Sequence, residues 1–159
     1  MSQTITPPTV VSQSTPPPPP LVVTRTFAAP RERVFKAWTD PNQLSRWFGP
    51  SDEYTAKAQV DLRVGGAYRL EMHHSGGNVH TVVGIYHEII VPEKLSFTWQ
   101  WEGSPAPDTL VTIDFVSVGN STEITMTHQK FADLETRNRH NEGWSGGFAR
   151  LERLLASEA

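Results

Sequence analysis

The feature that most constrains this chain is a change of hydrophobic period. Between Glu53 and His128 apolar residues recur every second position: Tyr68, Leu70 and Met72 alternate with Arg69, Glu71 and His73, and Leu95, Phe97, Trp99 and Trp101 alternate with Ser96, Thr98 and Gln100. Val111, Ile113 and Phe115 continue the pattern, as do Ile124 and Met126. Side chains of a strand alternate between faces, so each of these segments has one buried and one wet face, the pattern of an antiparallel sheet covered on one side. Turn signals separate them: Gly65-Gly66, Ser75-Gly76-Gly77-Asn78, Val91-Pro92-Glu93, Gly103 to Pro107 and Gly119-Asn120. Six strands result, and the β-branched segment Leu21–Phe27 makes a seventh.

The period becomes helical in two places. After Phe27, Pro30 opens a helix whose inner face holds Val34, Phe35 and Trp38; Thr39 or Asp40 then caps a second short helix with Pro41 at its first position and Leu44, Trp47 and Phe48 on its buried side. Gly49-Pro50 ends it. At the other end Asp133 caps a helix running to about Ala156, with an inner stripe of Leu134, Trp144, Phe148, Leu151 and Leu155. It extends roughly 35 Å, enough to cross the sheet. Gly143, Gly146 and Gly147 inside it imply either a close backbone approach or a bend, since each costs up to about 1 kcal/mol relative to alanine.

Composition sets the boundary of this body and excludes several kinds of function. Seven of the 13 prolines lie within residues 1–20, and no Lys, Arg, Asp or Glu precedes Arg25. Proline lacks the amide donor and fixes φ, so residues 1–20 are expected as a disordered proline-rich tail, with Pro16 to Pro20 a short polyproline II rod, and residues 21–159 as one domain. The formal charge of −3, with basic and acidic residues interspersed, opposes nucleic-acid binding through phosphate neutralisation. No apolar run is long enough to span a bilayer, and the amino terminus lacks the basic and apolar regions of a secretory signal. With no cysteine, thiol catalysis and disulfides are excluded, and the expected location is cytoplasmic.

Motifs carried along the whole body resemble the activator of heat-shock-protein ATPase homologue family, within the SRPBCC superfamily of START-related and birch-pollen-allergen-like proteins. The residues are Phe27-Ala28-Ala29-Pro30, Val34 to Trp38, Thr39-Asp40-Pro41, Arg46-Trp47-Phe48-Gly49-Pro50 and Gly65-Gly66-Ala67-Tyr68. Gly84 to Ile89, Pro92 to Trp99, Thr125-Met126-Thr127-His128 and Gly143-Trp144 extend it. The resemblance implies an α+β helix-grip fold: a curved seven-stranded antiparallel sheet wrapping the long C-terminal helix, with two short helices after the first strand. It also implies a cavity between sheet and helix, and many superfamily members bind hydrophobic molecules there.

Alternation and helical spacing independently direct an unusually aromatic set inward. The expected cavity lining is Trp38, Trp47, Phe48, Tyr68, Leu70, Met72, Phe97, Trp99, Trp101, Phe115, Met126, His128, Trp144 and Phe148. Such rings either line an apolar pocket or fill a solid core; buried Tyr and Trp donors that need partners favour the pocket. His128 continues the inward alternation of Ile124 and Met126, as a ligand-orienting group, an acid-base group or a hydrogen-bonded core histidine. His73, His74, His80 and His87 surround one hairpin, but adjacent His73 and His74 point to opposite faces, so the reading is solvated side chains and no metal site.

No nucleophile elbow, phosphate loop, dinucleotide fingerprint or zinc-protease motif occurs, so no catalytic residue and no cofactor is expected. The function expected is non-enzymatic binding of a small hydrophobic molecule in the aromatic cavity. Two alternatives follow from the resemblance. One is stimulation of a heat-shock chaperone ATPase, although the eukaryotic activators pair this domain with a chaperone-docking one and here a proline-rich tail precedes the body. The other is a polyketide cyclase-like enzyme, with His128, Tyr68 and Arg69 as first candidates and Arg69 directed outward by alternation.

Overall fold

The computed structural model describes residues 17–157. The elements run β1 (Leu21–Phe27), α1 (Arg31–Thr39), α2 (Pro41–Trp47), β2 (Tyr54–Val60), β3 (Ala67–His74), β4 (Val79–Ile90), β5 (Lys94–Trp101), β6 (Thr109–Val118), β7 (Ser121–Gln129) and α3 (Leu134–Ser157). All seven strands form one antiparallel sheet in the order β1-β7-β6-β5-β4-β3-β2, a curled half-barrel that grips α3. The element order is the one the period change predicts, and the architecture is the helix grip that the resemblance implies. The expected tail falls mostly on residues outside the described range. Its last residues are tied to the body: the Arg137 guanidinium of α3 donates to the carbonyls of Pro19 at 2.8 Å and Pro20 at 3.2 Å.

Local chemistry accounts for the element ends. Pro30 stands just outside α1 as its extended cap residue, one position earlier than a first-turn proline. Asp40 caps α2, its carboxylate accepting from the Asn42 amide at 2.8 Å with Pro41 next in line. The Asp133 carboxylate accepts from the Thr136 amide at 2.7 Å and starts α3. Between these ends the alternation holds: Tyr68, Leu70 and Met72 of β3 are buried, as are Leu95, Phe97 and Trp99 of β5. A register shift between Tyr86 and Glu88 interrupts the β4–β5 ladder and bends the sheet where it curls.

One residue of the expected inner stripe lies elsewhere. Leu134 is 54% exposed. Ten residues before Trp144, it sits roughly 80° around the helix from that side chain, so periodicity over the first turn carries it off the gripped face. Trp144, Phe148, Leu151 and Leu155 are buried, joined by Leu154.

The glycines of α3 mark a close approach. A Cβ at Gly146 would stand 1.9 Å from the Pro50 carbonyl oxygen, whereas at Gly143 the nearest atom, Pro50 Cβ, is 3.9 Å away. The segment after α2 therefore lies against the helix backbone at Gly146. Arg150 fastens the same contact, donating to the carbonyls of Phe48 at 3.2 Å and Tyr54 at 3.1 Å, and Arg153 pairs with Asp52 at 2.8 Å. Gly146→Ala is expected to destabilise the fold by about 1–3 kcal/mol through forced displacement, although alanine favours helix by about 1 kcal/mol. Urea denaturation of the variant measures this; a midpoint equal to or above wild type would contradict the packing argument.

A candidate ligand groove beside a solid aromatic core

The aromatic set divides into two populations. Phe27, Phe115, Met126 and Phe148 are fully buried in close packing. Phe148 touches the rings of Phe27 at 6.1 Å and Trp38 at 5.9 Å between centroids, and Phe35 meets Phe115 at 5.1 Å. This half of the sheet–helix interface is filled. Toward the amino-terminal half of α3 the sheet and helix diverge, leaving a groove of about 800 Å³. Trp99 and Trp101 from β5, Met72 from β3, Trp47 and Phe48 at the end of α2, and Trp144 from α3 line it. Tyr54, His80, Thr136, Arg139, His140 and Glu142 complete its walls and rim.

Behind the groove lies a small apolar cavity of about 20 Å³, close to the volume of one water molecule. Trp38, Leu44, Tyr68, Leu70, Tyr86, Phe97, Phe48 and Trp99 surround it, the last two also facing the groove. Phe115, Met126, His128 and Phe148 line neither space. Tyr68 reaches over Gly84, its opposite residue on β4, and donates its hydroxyl to the Thr98 carbonyl. A Cβ at Gly84 would fall 2.0 Å from the Thr98 carbonyl oxygen and 2.5 Å from the Tyr68 ring, which is why this strand position is glycine.

Two histidines and the indoles around them form the polar part of the site. His128 is completely buried, and Trp144 donates its indole N–H to His128 Nδ1 at 3.1 Å. That fixes the imidazole proton on Nε2, which donates to Thr109 Oγ1 at 2.7 Å; the Thr109 hydroxyl in turn donates to the Trp99 carbonyl at 3.0 Å. Burial first, and the nearby His140 second, hold the His128 pKa down to about 3. Both nitrogens are thus engaged, and the neutral ring acts as a packed tie between β7, β6 and α3.

His140 occupies the complementary position at the groove. Its Nδ1 donates to the Thr136 carbonyl at 2.8 Å, leaving Nε2 as an acceptor for the indoles of Trp99 at 3.3 Å and Trp101 at 3.2 Å. Burial lowers its pKa as well. The aromatic alternation does not mark His140, but helical spacing does: it precedes Trp144 by four residues and Phe148 by eight, on the same face. Tyr86 carries a similar signal, two residues beyond Gly84 on the inward side of β4.

Two of the four hairpin histidines are held by carboxylates, while His80 lines the groove. His73 lies 3.0 Å from Glu71, and His74 lies 2.9 Å from Glu53. Among the described residues no group of three His, Asp or Glu side chains is placed to hold an ion. Arg69 points outward as alternation requires, gripping Glu102 at 2.9 Å and also bonding Glu71. Among the described residues no helix is long and apolar enough to cross a membrane.

Comparison with known proteins agrees with this architecture. The family described as Activator of Hsp90 ATPase homolog 1-like protein matches residues 28–156. A crystal structure of a protein from Chromobacterium violaceum is 26% identical, with a TM-score of 0.77 over 86% of this chain and 96% of that one. The AHSA1 protein from Silicibacter pomeroyi has the same fold at 24% identity, with a TM-score of 0.80 over 89% of this chain and 100% of that chain. CalU16 from Micromonospora echinospora, 25% identical, aligns with a TM-score of 0.64 over 86% of this chain and 76% of its own. Comparison with curated protein sequences gives no significant match. With the family's pattern spanning nearly the whole described body, the chain belongs to the Activator of Hsp90 ATPase homolog 1-like family.

Proposed function

We propose that this protein is a binding domain for a small hydrophobic molecule, held in the groove between the amino-terminal half of α3 and strands β3 to β5. One observation carries the reading: beside the filled half of the sheet–helix interface, an opening of about 800 Å³ is walled by Phe48, Trp99, Trp101 and Trp144. Ligand pockets typically span about 300–1,000 Å³ and combine apolar walls with a few polar groups. His140 and His80 supply such groups here. The aromatic faces offer flat stacking surfaces, while His128 lies behind them as part of the scaffold.

The test is titration with the neutral fluorescent probe N-phenyl-1-naphthylamine. Saturable uptake at one site is expected. Trp101→Ala, which removes a half-buried wall, is expected to weaken uptake about tenfold, a loss of about 1.4 kcal/mol. Gly143→Leu is expected to block it, because that position lines the groove and an added Cβ makes only an ordinary contact with Pro50 Cβ at 3.9 Å, while leucine favours helix. Uptake unchanged in both variants, or absent in wild type, rejects the groove as a ligand site.

A further inference from the structure

The chain enters the sheet at the end where the groove opens. Leu21 of β1 is level with His128 of β7, Val111 of β6 and Phe97 of β5, one row across four strands. β5 runs opposite to β1, so the residues before Leu21 leave the sheet at the end where β5 carries Trp99 and Trp101 into the groove. The first turn of α3 fixes that exit. Arg137 holds the carbonyls of Pro19 and Pro20, while its neighbour Thr136 and, two and three residues on, Arg139 and His140 line the groove. One stretch of helix therefore both anchors the proline run and walls the opening.

The residues upstream of this anchor have the reach and the chemistry to enter. From β1 to β5 is three strand spacings, about 14 Å, which roughly five residues of polyproline II at about 3.1 Å each would cross. Ile5 to Val11 lie further upstream still, outside the described residues, with Val11 eight positions before Pro19. Ile5, Pro7, Pro8, Val10 and Val11 are apolar, and no charged side chain precedes Arg25, so none has to be stripped of water against aromatic walls. Proline brings a carbonyl acceptor without an amide donor. The groove has the opposite surplus: the indole N–H groups of Trp99 and Trp101 both donate to one nitrogen, His140 Nε2, at 3.3 and 3.2 Å. We propose that the groove is the docking surface for the chain's own proline-rich segment, with Ile5 to Val11 laid against Trp101 and Trp144 and Arg137 as the anchor. Aromatic-lined grooves take such segments because a stiff extended chain loses little freedom on binding. Where the groove also takes a small molecule, as the reading above has it, the segment competes with that molecule.

The chain contains no cysteine, so Ser12→Cys carries a single nitroxide label beside the segment. In the full chain, the indole N–H signals of Trp101 and Trp144 are expected to be lost from the proton–nitrogen correlation spectrum and restored when the nitroxide is reduced. The amides of Gly119 and Asn120, at the opposite end of the sheet, should be unaffected. Adding Val10→Asp and Val11→Asp, which lie upstream of every element, is expected to restore the indole signals and to tighten N-phenyl-1-naphthylamine uptake about fivefold by freeing the groove. Intact indole signals in the labelled chain, with equal probe affinity with and without the two aspartates, overturn the docking proposal and leave the ligand reading in place. Signal loss with no probe uptake in either form supports the docked segment and rejects the ligand reading. Signal loss that disappears on dilution comes from a second copy's segment and overturns the contact within one chain.

Discussion

Phe148→Ala is expected to lower stability by about 3–5 kcal/mol, the cost of emptying a large aromatic site in a core that cannot collapse around it. The ring is fully buried on the gripped face of α3 and meets Phe27 of β1, Trp38 of α1 and Trp144 one turn away. It therefore ties α3 to β1 and α1, both distant from it in sequence. Neighbouring rings from three directions leave little freedom to relax into the space. For a domain of this size the thermal midpoint should fall by roughly 10–20 °C. Calorimetry or urea denaturation measures the effect, and a loss below about 1 kcal/mol would show that this half of the interface is not the solid core described above. The contrast with Trp101 is the informative part: that side chain is half-buried beside open space, so its removal should affect probe uptake far more than folding.

Acid is expected to destabilise the protein at a higher pH than carboxylate titration alone explains. His128 has a native pKa of about 3 against 6.5 in the unfolded chain, and His140 is also depressed. A base that must stay neutral in the native state favours unfolding once the unfolded chain binds the proton. Its stabilising contribution is therefore complete above pH 6.5 and is lost as the pH falls toward 3. For His128 the slope is about 1.4 kcal/mol per pH unit, and His140 adds in the same direction. The carboxylates with lowered pKa values, Asp52, Glu71, Glu102 and Asp133, start from 3.8 or 4.5, so their contribution is present above those values and is lost mainly at lower pH. The interval between pH 6 and 5 thus isolates the histidines. Urea midpoints across this range should fall in wild type, and His128→Gln, less stable at pH 7, should show a slope shallower by about 1.4 kcal/mol per pH unit. A wild-type midpoint constant from pH 7 to 4.5 would mean that neither imidazole is held neutral by burial.

The sequence by itself determined every element and most of the core. Alternation in β3 and β5 and helical spacing in α1, α2 and α3 are consequences of backbone geometry acting over a few residues, and turn residues divide the strands for equally local reasons. Asp40 and Asp133 stand at helix starts because their carboxylates reach amides two or three residues on. Local geometry also accounts for Leu134: it fits a loose apolar stripe, but its position roughly 80° around α3 from Trp144 carries it off the gripped face.

Tertiary structure decided how those inward faces meet. Alternation in the strands places Trp99, Trp101 and Phe115 inward, and helical spacing does the same for Phe148, without distinguishing a packed ring from a pocket wall, since both are apolar positions on an inward face. The distinction arises from the distance between α3 and the sheet. That distance is set by contacts far apart in sequence: β1 pairing with β7, the Pro50 carbonyl lying against Gly146, and Arg150 holding the segment after α2. The same is true of the hydrogen bonds. His128 becomes a neutral scaffold residue because Trp144 and Thr109 claim its two nitrogens, and His140 is placed between two indoles of β5. Such pairings depend on which side chains the folded backbone brings within about 3 Å, a separation that no local period encodes. The period change from strand to helix therefore specified an antiparallel sheet and a helix long enough to cross it, while long-range packing determined that one half of their interface is closed and the other is an indole-lined groove.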